Sequence, residues 1–393
     1  MKKLRYGVIG LGNMGKLHCR MIADAKSTRF CLTAACDIVA QKQHLIDDLA
    51  VPFFTDAQEM YDSGLVDAVI VATPHYWHAP LTFRAARKGL HVLCEKPLAC
   101  DVGEARDMVA ECRKRKVKLG VMFQQRCWPT IVKARQLIAT GAIGDIFRVE
   151  MTGSSWFRTQ AYYDSGQWRG TWDGEGGGVL INQAPHSLDL FQLVGLGLPK
   201  TVVANIDTRE HKIEVEDTAN IICDYGKGRT GYIYTTTAEE PGTMRLTVVG
   251  DKGTMEIDRK KLRVGRLRIP VSKHVYQSTR ATAGGAEQKL TWSDVRVSQR
   301  KTGHIDVMRA FAANVLSGKP MVATGAEALI ELELSNAAYI SGYNNSKLVP
   351  LPVDAAEMRR LLSRLIRDRS TGKGGNMRAK AAKDMRKILA SKK

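Results

Sequence analysis

Leu4-Arg5-Tyr6-Gly7-Val8-Ile9-Gly10-Leu11-Gly12-Asn13-Met14-Gly15 decides how the first third of this chain folds. A mainly apolar run of strand length enters a Gly-x-Gly-x-x-Gly turn, and Met14, Leu17, His18, Met21 and Ile22 follow at helical spacing. In such a strand–turn–helix the first glycine makes the tight turn and the second lets the backbone approach a pyrophosphate. The third lets helix and strand pack closely, and the helix start turns unpaired N–H groups toward the anion. Glycine-rich turns are common, so the motif needs context. Asp37 supplies it: it lies 22 residues past Gly15, at the end of the next apolar run, Cys31–Cys36, where a carboxylate can hold ribose hydroxyls. Gly10, Leu11, Gly12, Asn13, Met14, Gly15, Asp37 and Ile38 are therefore the predicted dinucleotide-binding residues. Asp37 repels the extra phosphate of NADP and Ile38 offers it no charge, which favours NAD. Lys42 keeps NADP open.

Outward from that stretch, strand-like runs at 66–72 and 89–94 alternate with helix-patterned runs at 39–50, 78–88 and 102–114. This alternation predicts right-handed βαβ units and a parallel sheet, a Rossmann domain over residues 1–123. Beyond residue 145 the pattern changes. Segments 146–151, 218–225, 230–237 and 244–249 alternate apolar and polar residues, and Gly226-Lys227-Gly228 and Gly250-Asp251-Lys252-Gly253 have hairpin chemistry. A second domain, 124–353, is predicted to carry an open, mainly antiparallel sheet, with helices at 304–316 and 325–342 packing back onto it. The fold class is thus α/β followed by α+β. Residues 354–393 read as a basic helical tail: from Ala355 to Lys393 there are 13 Lys+Arg against 3 Asp+Glu. Met358, Leu361, Leu362, Leu365 and Ile366 form one apolar stripe there and Met377, Ala381, Met385, Ile388 and Leu389 a second, split by Thr371-Gly372-Lys373-Gly374-Gly375. Solvated helices are the expected fate of both.

Composition narrows the classes. With 393 residues, 44% hydrophobic and 25% charged, wholesale disorder is excluded and two or three domains are expected. The longest apolar runs fall short of a membrane span, the start lacks a signal cleavage site, and a cytoplasmic protein is expected. Eight scattered cysteines without C-x-x-C spacing suggest neither a disulfide framework nor zinc, so no metal is predicted. The net charge of +19 owes more than half its size to the tail. No DNA-reading or RNA-stacking motif accompanies it, so nucleic acid is not an expected partner.

Two further segments sit at strand ends, where open α/β sheets bind ligands: Thr73-Pro74-His75-Tyr76-Trp77-His78 and His91-Val92-Leu93-Cys94-Glu95-Lys96-Pro97. Taken alone, Glu95-Lys96 reads as a surface ion pair. Gly176-Gly177-Gly178 then leads to His186 and Asp189, and Val249-Gly250-Asp251-Lys252-Gly253 to a hairpin. Together with the glycine turn, this series resembles the glucose–fructose oxidoreductase / inositol dehydrogenase / rhizopine-catabolism (Gfo/Idh/MocA) family over residues 3–352. The resemblance implies NAD(P)-dependent oxidation or reduction of cyclic sugars, sugar derivatives or polyols. It implies catalytic roles for Lys96 and His186, cofactor contacts from Thr73, Pro74, His78, Glu95 and Lys96, and a homo-oligomer built on the open sheet.

Those residue types suit the chemistry. Oxidising a secondary alcohol needs a base for the hydroxyl proton, and a histidine with a pKa near ~6.5 suits that role. Lys96 can donate to the same oxygen. Read without the resemblance, His186 is equally a satisfied histidine near a helix start, after Pro185. Asp189 is expected either to orient it or to cap the helix. Many members of the family carry Asp where this chain has Asn182, an amide that hydrogen-bonds but takes no proton. Relatives place a Trp-Arg pair near the nicotinamide, so Trp168 and Arg169 are candidate cofactor contacts. Two alternatives stay open: a catalytically silent NAD-binding regulator, and a glycosidase that uses the cofactor transiently.

Overall fold

A computed structural model describes residues 3–281, 285–372 and 377–390. Six parallel strands form the first sheet: β1 (Leu4–Ile9), β2 (Phe30–Cys36), β3 (Phe53–Phe54), β4 (Ala68–Val71), β5 (His91–Cys94) and β6 (Leu119–Val121). Their order is β3-β2-β1-β4-β5-β6. The chain reverses direction across the sheet between β1 and β4, so the loops after these two strands flank a crevice. The glycine turn leaves β1 and Thr73-Pro74 leaves β4. Both reach the crevice because β1 and β4 run parallel and so present their carboxyl ends on one side of the sheet.

The second sheet has nine strands: β7 (Ile146–Gly153), β8 (Thr201–Asp207), β9 (Thr218–Gly226), β10 (Arg229–Thr236), β11 (Met244–Gly250), β12 (Gly253–Ile257), β13 (Leu262–Arg266), β14 (Thr291–Asp294) and β15 (Val349–Pro350). The order is β14-β13-β12-β11-β7-β10-β9-β8-β15, with β7 and β10 parallel and the other pairs antiparallel. The expected hairpins join β9 to β10 and β11 to β12. Val149, Met151, Ile221, Cys223, Ile233, Leu246 and Val248 alternate into the core, and intervening residues face outward, as a period of two requires.

Three expectations need correction. The run at 39–50 is not one helix but two short 3₁₀ turns, Ala40–Leu45 and Asp47–Leu49. Asp37 accepts the Val39 N–H and Ala50 adopts a left-handed conformation, which closes the segment at both ends. The helix His304–Ser317 does not cover the second sheet. Its Val307, Met308, Phe311 and Ala312 join Leu4, Tyr6 and Val8 in the core of the first, where the Tyr6 hydroxyl donates to the Met308 carbonyl at 2.9 Å. The helix Gly325–Gly342, in contrast, does lie along β8 and also meets the helix Val102–Lys114. An apolar stripe announces that a helix must dock, not on which sheet.

The tail is docked rather than solvated. The helix Ala355–Arg369 buries Met358, Leu361, Leu362 and Leu365, each worth about 1.5–3 kcal/mol on complete burial. The helix Met377–Ala390 buries Ala381 and Ile388 against the helix His78–Arg87 and the turn His75–Trp77. Lys373, Gly374 and Gly375 of the intervening break lie outside the described residues. The eight thiols are free and mostly buried, and no described helix is long and apolar enough to cross a membrane.

Candidate active site

The glycine turn does what its three glycines require. Gly10 has φ +90°, and a Cβ there would meet the Ala72 carbonyl at 2.8 Å. A Cβ on Gly15 would stand 1.7 Å from the Gly10 carbonyl oxygen, so only glycine lets the helix Asn13–Asp24 start this close to β1. Around Gly12 the same construction meets nothing within 4 Å. That helix has no side-chain cap and no acidic residue in its first turn. Its free N–H groups and positive dipole end face open space beside Gly12, which fits a pyrophosphate. Thr73 adds a buried hydroxyl with no hydrogen-bond partner among the described residues.

Asp37 is buried and braces this turn: its Oδ2 accepts the Leu11 N–H at 2.7 Å and Lys42 Nζ at 2.8 Å. Lys42, the residue that kept NADP open, is thus held by the carboxylate. Ile38 is 89% exposed. His78 is fully buried, with its ring nitrogens on the Pro97 and Thr73 carbonyls at 2.8 and 3.0 Å. It ties together the two loops that line the crevice.

Glu95 accepts from His18 of the first helix at 2.7 Å. Burial alone would raise its carboxyl, but the His18 hydrogen bond and the charges of His18, His304 and Lys96 prevail and bring it down to about 2. Glu95 therefore links the cofactor helix to the neighbouring lysine instead of forming a surface pair. Lys96 reaches across to the other half of the molecule. Its Nζ donates to the Asn182 carbonyl at 2.7 Å and lies 3.3 Å from Asn182 Oδ1, and burial lowers its pKa.

Asn182 and His186 come from an unusual piece of backbone. Val179–Gln183 forms a π turn that runs into the helix Pro185–Val194; widened turns of this kind recur at functional sites. The turn follows Gly176-Gly177-Gly178, whose Gly178 N–H is held by the buried Glu216 carboxylate. His186 is buried, its Nδ1 has no partner among the described residues, and its ring packs edge-on against Phe123. Burial, then the nearby Lys96 charge, lowers its pKa to about 3, far from the ordinary value expected from sequence. The ring is neutral at physiological pH. Asp189 neither orients it nor caps the helix: its carboxylate forms a buried fork with Arg126 at 2.6–3.1 Å.

Sequence reasoning missed Glu175. It is fully buried and pushed up to about 7, by burial first. Its Oε2 accepts the Gly170 N–H at 2.6 Å and its Oε1 the Asn182 side-chain amide. Glu175 therefore fixes which way the amide points, turning Oδ1 toward Lys96. Tyr162 completes the wall, its hydroxyl contacted by Arg169 and Asn182. Arg169 also lies over the Trp168 ring at 4.7 Å, and Trp168 packs on His75. Deeper, Glu331 is 1% exposed, lacks a partner for either oxygen among the described residues, and is held well above the carboxylate range by burial. Its signal was present: Glu331 and Glu333 stand among Leu329, Ile330, Leu332 and Leu334 in the middle of a helix.

A parallel sheet with an uncapped glycine turn at its switch point, joined across a cleft to a lysine, an amide and a neutral histidine, defines an NAD-binding oxidoreductase class. Comparison with known proteins makes this specific. Residues 4–123 match the model "Oxidoreductase family, NAD-binding Rossmann fold" and residues 131–256 match "GFO/IDH/MocA C-terminal domain"; the chain belongs to the Gfo/Idh/MocA oxidoreductase family. It is 27% identical over 304 residues to the rhizopine catabolism protein MocA of Rhizobium meliloti, covering 75% of this chain and 91% of that protein. It is 26% identical over 262 residues to the 2,7-anhydro-N-acetylneuraminate hydratase of Mediterraneibacter gnavus, covering 66% and 68%. Among solved structures, the WlbA dehydrogenase of Bordetella pertussis in complex with NADH and UDP-GlcNAcA superposes with a TM-score of 0.76 at 27% identity, covering 90% of this chain and all of that one.

Proposed function

We propose that this chain transfers hydride between NAD and a secondary hydroxyl or keto carbon of a cyclic sugar, sugar derivative or polyol. The observation that carries the reading is the cross-cleft junction: Lys96, from the end of β5, meets Asn182 at 2.7 Å, one helical turn before the unpartnered His186. The bound cofactor supplies the hydride acceptor at its nicotinamide ring. The glycine turn, Asp37 and Thr73 hold it; Lys42 paired to Asp37 and the bare side chain of Ile38 favour NAD over NADP. Lys96 donates to the substrate oxygen and stabilises negative charge developing there. His186, already neutral, accepts the hydroxyl proton without first losing one. The Lys96 charge disfavours the imidazolium, so His186 gives that proton up to solvent as the product leaves. Asn182 accepts no proton and acts by holding Lys96. Half-exposed Ile222 and Tyr232, paired across β9 and β10 on the open sheet face, support a homo-oligomer.

The test is NADH absorbance with a panel of sugars and cyclitols. Accumulation with at least one compound supports net oxidation. Similarity to a hydratase, whose reaction adds water without net redox change, favours a second reading in which oxidation is transient. Substrate conversion with no lasting NADH would select it, and neither signal with any compound would defeat both.

A further inference from the structure

One wall of the cleft carries a cation, Arg158, that the cofactor and the acid–base chemistry leave unexplained. Arg158 and Arg169 both lie over the Tyr162 ring, at 4.5 and 4.4 Å, and Arg158 also faces Trp156 at 5.4 Å. Stacking on rings holds a guanidinium without neutralising it. Among the described residues no carboxylate lies within ion-pair distance of either arginine. Among those residues Arg158 Nε is buried with no partner, and Nη1 reaches only the Phe157 carbonyl, at a long 3.4 Å. One buried donor is thus left unpaired, which is costly, while Nη2, neither bonded nor buried, stays open to an oxyanion.

The Arg158 backbone is fixed with care. Its N–H donates to Thr237 at 2.9 Å, and its carbonyl accepts from His211 Nε2 at 2.7 Å. His211 Nδ1 is in turn bound to the Asp217 carboxylate at 2.9 Å, which also takes the N–H groups of Arg209, Glu210 and His211. This chain of contacts anchors a loop that would otherwise be free, as a binding residue requires and a solvated arginine does not. The cation also stands near the chemistry: its charge is felt at Lys96, where it disfavours the ammonium form.

Resting on the reading that the cleft takes a sugar, we infer that Arg158 receives an oxyanion carried by the substrate, so that the preferred substrate is an acidic sugar derivative and not a neutral one. A carboxylate and a phosphate both match the planar fork of donors. Arg169 stacks on the same Tyr162 ring.

The test measures binding and does not depend on turnover. NADH-loaded protein is titrated calorimetrically with four ligands: glucose, glucuronate, glucose 6-phosphate and UDP-glucose. At least one anionic ligand is expected to bind about tenfold or more tightly than glucose, the worth of a charge-assisted pair. Which arm shows the gap identifies the anion as carboxylate, monophosphate or diphosphate. Arg158→Gln should abolish that gap while leaving NADH affinity unchanged, and Arg158→Lys should restore part of it. The inference is overturned if no anionic ligand outbinds glucose, if the gap survives in Arg158→Gln, or if that variant loses NADH affinity in proportion. Should Arg158→Gln fail to fold, Arg158→Lys with an unchanged gap overturns it equally. Oxidation of neutral sugars without any anion gap would sink this inference alone. Anion binding without NADH formation or substrate conversion would sink the proposed reaction alone.

Discussion

The glycine turn and the Lys96–Asn182 cleft both lie at strand ends, yet they are built in opposite ways. The turn is made of backbone from one continuous stretch, Gly10 to Gly15, braced by a carboxylate 22 residues on. Its shape follows from missing side chains. The cleft draws Lys96, Arg158, Glu175, the Asn182–His186 turn and Glu331 together from distant parts of the chain and depends on how buried charges settle against each other. One is a matter of sterics and the other of electrostatics, so they should fail differently when altered.

The largest effect belongs to the cleft. His186→Ala should lower kcat/KM by ~10²–10⁴-fold, the usual worth of a positioned acid–base group. Lys96→Met should cost a comparable factor, and the double variant should fall short of the product of the two, because both act on one substrate oxygen. NAD affinity, followed by fluorescence titration, should be nearly unchanged in His186→Ala. Parallel loss of NAD binding would erase the distinction between the two regions. Near-normal turnover would return His186 to the role of a helix-start histidine.

The turn is broken by adding one carbon. Gly15→Ala places a Cβ against the Gly10 carbonyl. Overpacking of this kind costs about 1–3 kcal/mol, or roughly 5- to 150-fold if it appears in NAD affinity. Dissociation constants and melting temperature should worsen together, with no change in the pH profile. A variant with intact NAD affinity would show that helix and strand do not need their close approach.

What could be read from sequence follows the same division. Both sheets, the hairpins and the glycine turn were legible because each depends on local periodicity or on a backbone conformation that few residues adopt. Lys96, Asn182 and His186 were legible through the order of motifs. Arg158 and Glu175 were not, because a charged residue in a polar stretch ordinarily faces solvent and nothing local marks its burial. The helix His304–Ser317 shows the same limit in apolar terms. Its stripe is plain, but its destination depends on packing from 300 residues away.

Glu175 gives the smallest and most discriminating test. It is raised from the ordinary carboxylate value to about 7, so it ionises as pH rises through neutrality. Once ionised, it accepts the Gly170 N–H and the Asn182 amide together, keeps Oδ1 toward Lys96, and favours the ammonium form of the lysine. Wild-type kcat/KM should therefore rise through an inflection near pH 7. His186 cannot be its source, because that ring is neutral well below this range. In Glu175→Gln the single amide oxygen goes to Gly170, and the new NH₂ faces the Asn182 side chain. Asn182 must then flip and turn its own NH₂ toward Lys96, which should cost about tenfold in kcat/KM above pH 7 and remove the inflection. Stability supplies an independent sign. The folded state holds an extra proton between about 4.5 and 7, so Glu175 costs the wild type stability as pH rises through that window. Melting temperatures measured from pH 5 to 8 should show Glu175→Gln gaining on the wild type toward the alkaline end. An inflection near 7 that survives in Glu175→Gln would assign it to another group, and constant relative stability across the range would place the Glu175 ionisation elsewhere.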